Sequence, residues 1–434
     1  MKEGDFIYNT IDYNKKLAIL AGIDYNQKNT YTFEDAMDEL RELARAGNFE
    51  VVSQISQKRE KKETGTYFGS GKLEELKEEI IRTGANLVIF DDELSGMQIR
   101  NLEAILEVDI LDRTGLILGI FGTRAKSKEG QLQIELAQLE YEKPRLIGLG
   151  EILSRTGAGI GTRGLGESKL ELDRRVISKR IVEIKKQIEE VQKNREIQRS
   201  QRVRSGIKNI ALVGYTNAGK STLLNKFIEI SKSELENKAY VEDMLFATLD
   251  PFNKKIVLED NLSFILTDTV GFVSKLPHTL VEAFKSTLEE VVLADYLIYV
   301  VDVSNEHYQY QLDVTLNVVK ELGAGDIPFL VAYNKIDKLS EEELKERGDI
   351  SFDFVDISAV NGLGLESLIE KIKKHISKEE VLLKLLLPYD VGNLHSQLME
   401  KNRVMNSEYK ENGIEVEVYI KNSELHKFEK YKID

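Results

Sequence analysis

Residues 214–222, GYTNAGKST, have the spacing of a P-loop: four residues separate Gly214 from Gly219, and Lys220 and Ser221 follow directly. The apolar stretch KNIALV precedes the loop, and TLLNKFIE follows it with its apolar residues on one helical face. A strand, a glycine-rich loop and a helix in this order are the context that the motif requires. This part of the chain is therefore predicted to form an α/β domain that binds phosphate groups.

The predicted loop would hold phosphate through its backbone and through two side chains. Its N–H groups turn inward around the phosphate oxygens, and the helix N-terminus adds a positive dipole end. Lys220 is expected to reach the β- and γ-phosphates, and Ser221 to ligate Mg²⁺. The residues assigned to this loop are Gly214, Tyr215, Thr216, Asn217, Ala218, Gly219, Lys220, Ser221 and Thr222.

Two segments downstream are predicted to sense the γ-phosphate. In DTVG (268–271), Asp268 should hold Mg²⁺ through a water, and the Gly271 N–H should contact the γ-phosphate. In FATLDP, Thr248 is the candidate switch I threonine that closes over Mg²⁺ and the γ-phosphate. Catalysis is assigned to Lys220, Thr248 and Gly271, and the metal to Ser221, Thr248 and Asp268. The remaining residues of these two segments are Phe246, Ala247, Leu249, Asp250, Thr269 and Val270.

Two further motifs select the base. The carboxylate of Asp337 in NKID (334–337) can accept from two guanine N–H groups, where adenine offers no matching donors. Asn334 is predicted to brace the site and the stem of Lys335 to cover the ring, with Ile336 between them and the Asp337 carboxylate. Ser358 and Ala359 place a backbone N–H near the guanine carbonyl. With all five motifs in order, the sequence predicts a Ras-like GTP- and GDP-binding domain.

Phe272 occupies the position after Gly271, where Ras-like enzymes carry a glutamine that orients the attacking water. A phenylalanine cannot hydrogen-bond to water. Either backbone or partner groups position the water, or hydrolysis is slow. A simpler interpretation is that Phe272 only packs.

Composition restricts the remaining functions. A chain of 434 residues is too long for one ordinary domain, and the absence of cysteine excludes disulfides and zinc–thiolate sites. No apolar run is long enough to span a membrane, and the polar N-terminus lacks the features of a signal peptide. These features predict a cytoplasmic protein, which we expect to be a monomer. The net charge of −14 argues against general binding to nucleic acid, although basic residues predominate between 155 and 208.

The pattern along the chain predicts an α/β protein of four parts. Residues 1–126 alternate strand and helix signals, which predicts a small parallel α/β domain. Residues 127–206 are predicted to form an antiparallel coiled-coil helical hairpin, residues 207–379 the Ras-like P-loop G domain, and residues 380–434 a small C-terminal α/β domain.

The predicted hairpin rests on two apolar stripes. In the long basic helix 168–204, Ile177, Ile181, Ile184 and Ile188 repeat at coiled-coil spacing, and Leu132, Leu136 and Leu139 offer a matching stripe on the shorter helix. Between the helices lies the glycine-rich loop 154–168, which contains GxGxxG without the preceding strand that a dinucleotide site needs. This loop is either a floppy hairpin tip or, through Arg155 and Arg163, a basic finger that orders on RNA.

Two segments of the first 126 residues imitate functional motifs. GTYFGSGK (65–72) resembles a second P-loop, but Gly65 lies one residue too far from Gly71 and Leu73 replaces the hydroxyl residue. DDE (91–93) resembles a carboxylate cluster, yet it stands just before the capping box of Ser95 and Gln98. Acids in that position usually complement the helix dipole, so we interpret them as structural.

Nearly the whole chain resembles the HflX family of translational GTPases. The resemblance rests on the stretches YFGSGKLEEL, DDELSGMQIRNLE, DRTGLIL, GAGIGTRGLGESKLELDRR, GYTNAGKSTLLN, FATLDP, DTVGF and LPYDVGNLHSQL. It implies GTPase activity stimulated by ribosomes, binding to the large ribosomal subunit, and splitting or rescue of stalled or idle ribosomes. It also implies that loop 154–168 reaches toward the peptidyl-transferase centre and that this loop and helix 168–204 contact rRNA.

The resemblance bears on two further points. Phe272 fits it, because the family has a hydrophobic residue in place of the glutamine. In related GTPases an asparagine at the position of Asn217 binds K⁺, so a K⁺ cofactor is a second expectation beside a purely bracing role. The alternatives are a signalling or metabolic GTPase whose hairpin binds a protein, and an RNA remodeller that hydrolyses ATP through its N-terminal part.

Overall fold

The structure is a computed structural model, and it describes most of the chain. The described residues are 16–26, 31–145, 174–193, 207–232, 245–246, 251–259, 262–277, 280, 288–345, 352–377 and 380–433. The predicted loop 154–168 and the candidate switch I residues Ala247, Thr248, Leu249 and Asp250 lie outside them.

The first part of the chain forms a four-stranded parallel sheet, in the order β2-β1-β3-β4, as the alternating pattern predicts. Its central strands are apolar on both faces because helices cover both sides. The strands are β1 (Leu17–Asp24), β2 (Glu50–Lys58), β3 (Leu87–Phe90) and β4 (Asp109–Asp112), and the helices are α1 (Phe33–Ala46), α2 (Ser70–Thr83), α3 (Gly96–Leu106) and α4 (Arg113–Arg124).

Helix α4 has no counterpart in the sequence-based prediction. Its residues from Arg113 to Phe121 are all buried, so it lacks the alternation of apolar and polar faces that identifies a helix in a sequence. One side of α4 packs in the N-terminal domain and the other reaches the G domain, where Phe121 contacts Phe246 with ring centroids 4.5 Å apart. The N-terminal domain and the G domain therefore share one hydrophobic core.

The two predicted apolar stripes do pack together. Leu132, Leu136 and Leu139 of α5 (Lys128–Glu142) form one buried cluster with four isoleucines of α6, whose described residues are 174–193. Two ion pairs fix the relative direction of the helices, because Glu135 pairs with Arg180 at 2.7 Å and Glu140 with Lys185 at 2.8 Å.

Glu135 and Glu140 flank the leucine stripe on opposite sides, and Arg180 and Lys185 flank the isoleucine stripe in the same way. In heptad terms the two ion pairs join g to g and e to e positions, whereas parallel helices join g to e. The two helices therefore run antiparallel, as the predicted helical hairpin requires.

The G domain is built on a six-stranded mixed sheet in the order β10-β9-β8-β5-β7-β6, in which only β6 is antiparallel to its neighbour. Strands β6 and β7 form an antiparallel hairpin. The strands are β5 (Lys208–Val213), β6 (Phe252–Val257), β7 (Ser263–Asp268), β8 (Tyr296–Asp302), β9 (Phe329–Asn334) and β10 (Phe354–Asp356). The helices are α7 (Lys220–Ile230), α8 (Glu289–Val292), α9 (Tyr308–Glu321), α10 (Glu341–Lys345) and α11 (Leu365–Ile376).

The last part of the chain is a three-stranded antiparallel sheet in the order β11-β13-β12 with one helix against it. Its elements are β11 (Glu380–Leu387), α12 (Gly392–Lys401), β12 (Arg403–Lys410) and β13 (Gly413–Lys421). Two 3₁₀ turns follow the last strand, Asn422–Lys427 and Glu429–Tyr431. Apart from the additional helix α4, the predicted α/β architecture is confirmed. Among the described residues, no helix combines the length and the hydropathy that crossing a bilayer requires.

Candidate functional site

The phosphate loop lies between β5 and α7, as the sequence predicts. Gly219 has φ 97°, and a Cβ there would lie 2.2 Å from Asn334 Nδ2, so only glycine fits without displacing that amide. The Lys220 ammonium donates to the carbonyl oxygens of Gly214 (3.0 Å) and Tyr215 (2.8 Å), which holds it across the loop. Burial lowers the pKa of Lys220 to about 8, against the opposing attraction of Asp268. Bound phosphate would favour the charged form.

Two oxygen ligands meet beside this lysine. The Ser221 hydroxyl donates to the Asp268 carboxylate at 2.5 Å, and Asp268 is fully buried at the end of β7. Hydroxyl and carboxylate oxygens are the ligands that Mg²⁺ prefers, and the pair lies next to the phosphate loop. This donor set fits Mg²⁺. Thr248, the third predicted metal ligand, lies outside the described residues.

Asn334 joins the base-binding motifs to the phosphate loop. Its side-chain amide donates to the Ala218 carbonyl at 2.8 Å and accepts from the Ala359 N–H at 2.9 Å. Lys335 pairs with Asp302 at 2.7 Å, and Asp337 is exposed in the 3₁₀ turn Ile336–Lys338. The ends of β8, β9 and β10 therefore bring NKID, Ser358 and Ala359 to the same edge of the sheet as the phosphate loop.

The segment after Asp268 lies directly on the phosphate loop. The Thr216 N–H donates to the Phe272 carbonyl at 2.8 Å, and the Phe272 N–H donates to the Gly214 carbonyl at 3.2 Å. A Cβ at Gly271 would lie 2.7 Å from the Thr216 Cα, so this close approach requires glycine. The Phe272 side chain is 1% exposed and packs in the core shared by the two domains, as the simpler interpretation predicts.

An acidic cleft of about 830 Å³ opens beside Asn217. Asp302 lines its G-domain wall, and Asp35, Asp38 and Glu39 of α1 line the opposite wall. At its rim the domains touch again: His307 Nε2 lies 2.9 Å from an Asp35 carboxylate oxygen. The cleft therefore places several carboxylates within the space that borders the phosphate loop.

The two segments of the N-terminal domain that resemble functional motifs, residues 65–72 and 91–93, have different roles in the structure. Residues 65–72 are structural, since Tyr67 and Phe68 are fully buried against Phe90. The acids of DDE do more than complement a helix dipole: Asp91 binds Arg113 at 2.7 Å and also contacts Lys275 of the G domain. Our interpretation missed these partners, although the charged pair Asp112–Arg113 inside the apolar run VDILDRTGLILGI was a signal that could have indicated a buried charge.

Three family models together match most of the chain between residues 34 and 335. Models described as GTP-binding GTPase N-terminal, GTP-binding GTPase Middle Region and 50S ribosome-binding GTPase match residues 34–122, 124–202 and 209–335.

Individual relatives agree with this result. The GTPase HflX of Caldanaerobacter subterraneus subsp. tengcongensis is 47% identical over 407 residues, which cover 94% of this chain and 91% of the relative. That of Escherichia coli K12 is 39% identical over 388 residues, covering 88% and 89%. A solved GTP-binding protein of the archaeon Sulfolobus solfataricus, in complex with GDP, is 26% identical with a TM-score of 0.43, over 84% of this chain and 99% of that one.

Proposed function

Because this chain belongs to the HflX family of GTPases, we propose that its GTP-bound form binds the large ribosomal subunit and separates the subunits of stalled or idle ribosomes. The observation that supports this most is the match of residues 209–335 to a 50S ribosome-binding GTPase, on a domain whose nucleotide motifs meet at one edge of the sheet. In this proposal the protein is a cytoplasmic monomer that associates with ribosomes.

In the proposed reaction, this chain's residues bind and orient GTP. Lys220 and the loop N–H groups hold the β- and γ-phosphates, Asp337 accepts from guanine, and Gly271 contacts the γ-phosphate. Thr248 closes the site from the switch I side. Mg²⁺, held by Ser221, Thr248 and Asp268, would supply positive charge to the phosphate oxygens when bound.

The basic segment is the proposed contact with rRNA. On the described part of α6, Arg174, Arg175 and Lys179 are exposed, while the isoleucines of the same helix face α5. The exposed basic side chains can therefore reach a phosphate backbone without disturbing the packed stripe. Loop 154–168, with Arg155 and Arg163, precedes this helix in the sequence.

Replacing Arg155 and Arg163 by alanine should weaken binding to large subunits and flatten its dependence on salt. Each lost phosphate contact means about one counterion fewer released on binding, so the slope of log K against log salt becomes shallower by about one. Co-sedimentation across a salt series measures both effects, and GTP affinity should stay unchanged.

The matched control carries Lys421→Ala and Lys430→Ala, which remove the same charge from exposed positions of the C-terminal domain. Unchanged binding by the loop variant, or an equal loss in the control, would show that the loop is not a phosphate contact.

Asn217 is proposed to make hydrolysis dependent on K⁺. A cation beside the phosphates can supply the charge that an arginine finger gives elsewhere, and Asn217 lines the cleft that opens beside the phosphate loop. We expect turnover at least about tenfold faster in KCl than in NaCl at equal ionic strength, since one preorganised charge is worth roughly 10²–10³ in rate. Asn217→Ala should abolish the difference. Equal wild-type rates in the two salts would show that Asn217 only braces the loop.

A further inference from the structure

Arg113, at the start of α4, binds the G domain from the centre of a buried group of charges. Its side chain is 2% exposed. Nη1 donates to Asp91 at 2.7 Å, and Nη2 contacts the Glu39 carboxylate and donates to the carbonyl (3.1 Å) and hydroxyl (2.9 Å) oxygens of Ser274. We call Glu39, Asp91, Arg113, Ser274 and Lys275 the interdomain cluster. One guanidinium thus joins two acids of its own domain to a residue just beyond the hydrolysis motif.

The cluster is balanced in charge. Burial disfavours the charge of Arg113, but the carboxylates of Glu39 and Asp91 outweigh it and raise the arginine's pKa above its usual range. The Lys275 ammonium contacts Asp91 from the G-domain side. Two cations thus face two anions, and removing one buried partner alone would leave an uncompensated charge. The cluster therefore strongly constrains the G-domain residues that belong to it, Ser274 and Lys275.

The interdomain cluster holds the segment that follows Gly271. The Ser274 N–H donates to the Tyr215 hydroxyl at 2.5 Å and to Glu39 at 3.2 Å, and the Ser274 hydroxyl contacts Glu39 as well. Together with the Arg113 contact, this engages the N–H, the carbonyl and the hydroxyl of Ser274. Lys275 has φ 52°, a left-handed conformation that is uncommon for a lysine, so the chain bends where it enters the cluster.

In this conformation, the side chains from 272 to 275 are all engaged in the core or with the N-terminal domain, so none is available to orient a water at the γ-phosphate. Phe272 and Val273 are buried and apolar, and Ser274 and Lys275 are bound to acids of the N-terminal domain. The Thr216 N–H of the phosphate loop is occupied by the Phe272 carbonyl. This segment can take part in orienting the water only if it moves, and the interdomain cluster opposes that movement.

We propose that Arg113 and Glu39 are positioning residues for GTP hydrolysis, which slow the reaction by holding residues 272–275 in this conformation. A displacement of the N-terminal domain would release the segment. The proposal rests on the GTPase activity of the chain and is independent of ribosome binding, so it is tested on the free protein.

The test compares single-turnover GTP hydrolysis by the full-length wild type and three variants. Glu39→Gln/Arg113→Gln removes a cation and an anion together, so that no net buried charge is created. Ser274→Ala and Lys275→Gln loosen the segment from the G-domain side, and Lys275 is 42% exposed, so its replacement disturbs the core little. We expect each to raise the hydrolysis rate constant, by about tenfold for the double variant, with GTP affinity changed less than twofold.

The matched control is Arg59→Gln, which breaks the partly exposed pair of Arg59 with Glu63 (2.6 Å) in the same domain without touching the segment. Its rate should equal that of the wild type. Arg113→Lys keeps the charge but loses the fork of donors, so its rate should be intermediate. Unchanged or slower hydrolysis in Ser274→Ala and Lys275→Gln, or the same acceleration in Arg59→Gln, would overturn the proposal, and this holds even if the double variant does not fold.

Discussion

Asp337→Asn should lower the affinity for GTP by about 30- to 1,000-fold and give the protein a preference for xanthosine triphosphate. The carboxylate is expected to accept from two guanine N–H groups, and losing this charge-assisted pair costs about 2–4 kcal/mol. Xanthine carries an oxygen where guanine carries its amino group, so the asparagine amide can donate to it. Asp337 is exposed in a 3₁₀ turn, so the replacement leaves the core intact.

Titration of both nucleotides against the variant measures this change. Asp326→Asn is the matched control, because Asp326 is also exposed on the G domain and lies before β9 rather than after it. The control should keep the wild-type preference for GTP. If Asp337→Asn also keeps it, the base is not recognised by NKID.

The nucleotide site was predictable because each of its motifs is local. The phosphate loop, DTVG and NKID each sit where a strand ends, and parallel strands bring their ends to one edge. Asn334 bonds both to the phosphate loop and to Ala359, and the same regularity reveals the alternating strands and helices of the N-terminal domain.

The interdomain cluster was not predictable in this way. Ser274 and Glu39 are 235 residues apart, and Lys275 and Asp91 are 184 apart, so no local spacing connects them. DDE was consistent with a helix dipole, and nothing in its neighbourhood indicated a partner in another domain.

Hydrolysis by the free protein should be slow, at or below about 10⁻⁴ s⁻¹, the range of unassisted Ras. Phe272 stands where a water-orienting glutamine is expected, and its ring is buried in the core between the domains rather than facing the phosphate loop. The segment that follows is bound to the N-terminal domain. We therefore expect GTP to act as a timer until a partner moves that domain.

The large ribosomal subunit is the partner that we expect to move it. Docking of α6 and the N-terminal domain on rRNA would shift Glu39 and Asp91 relative to Ser274 and Lys275, and so free the segment after Gly271. Correct placement of water and charge is worth about 10³–10⁵ in the rate of related GTPases, which sets the scale of the expected stimulation. The variant Glu39→Gln/Arg113→Gln should hydrolyse GTP faster than the wild type when free, and large subunits should stimulate it by a correspondingly smaller factor.

Single-turnover GTP hydrolysis by the full chain, with and without purified large subunits, tests this account most directly. Lys220→Ala measures any GTPase that contaminates the ribosomes, because it removes the ammonium that we propose holds the phosphates. Small subunits at the same concentration test specificity. The account predicts slow hydrolysis alone, an increase of about 10³-fold or more with large subunits, and no increase with small subunits. Fast hydrolysis by the free protein, or equal rates with and without large subunits, would contradict it.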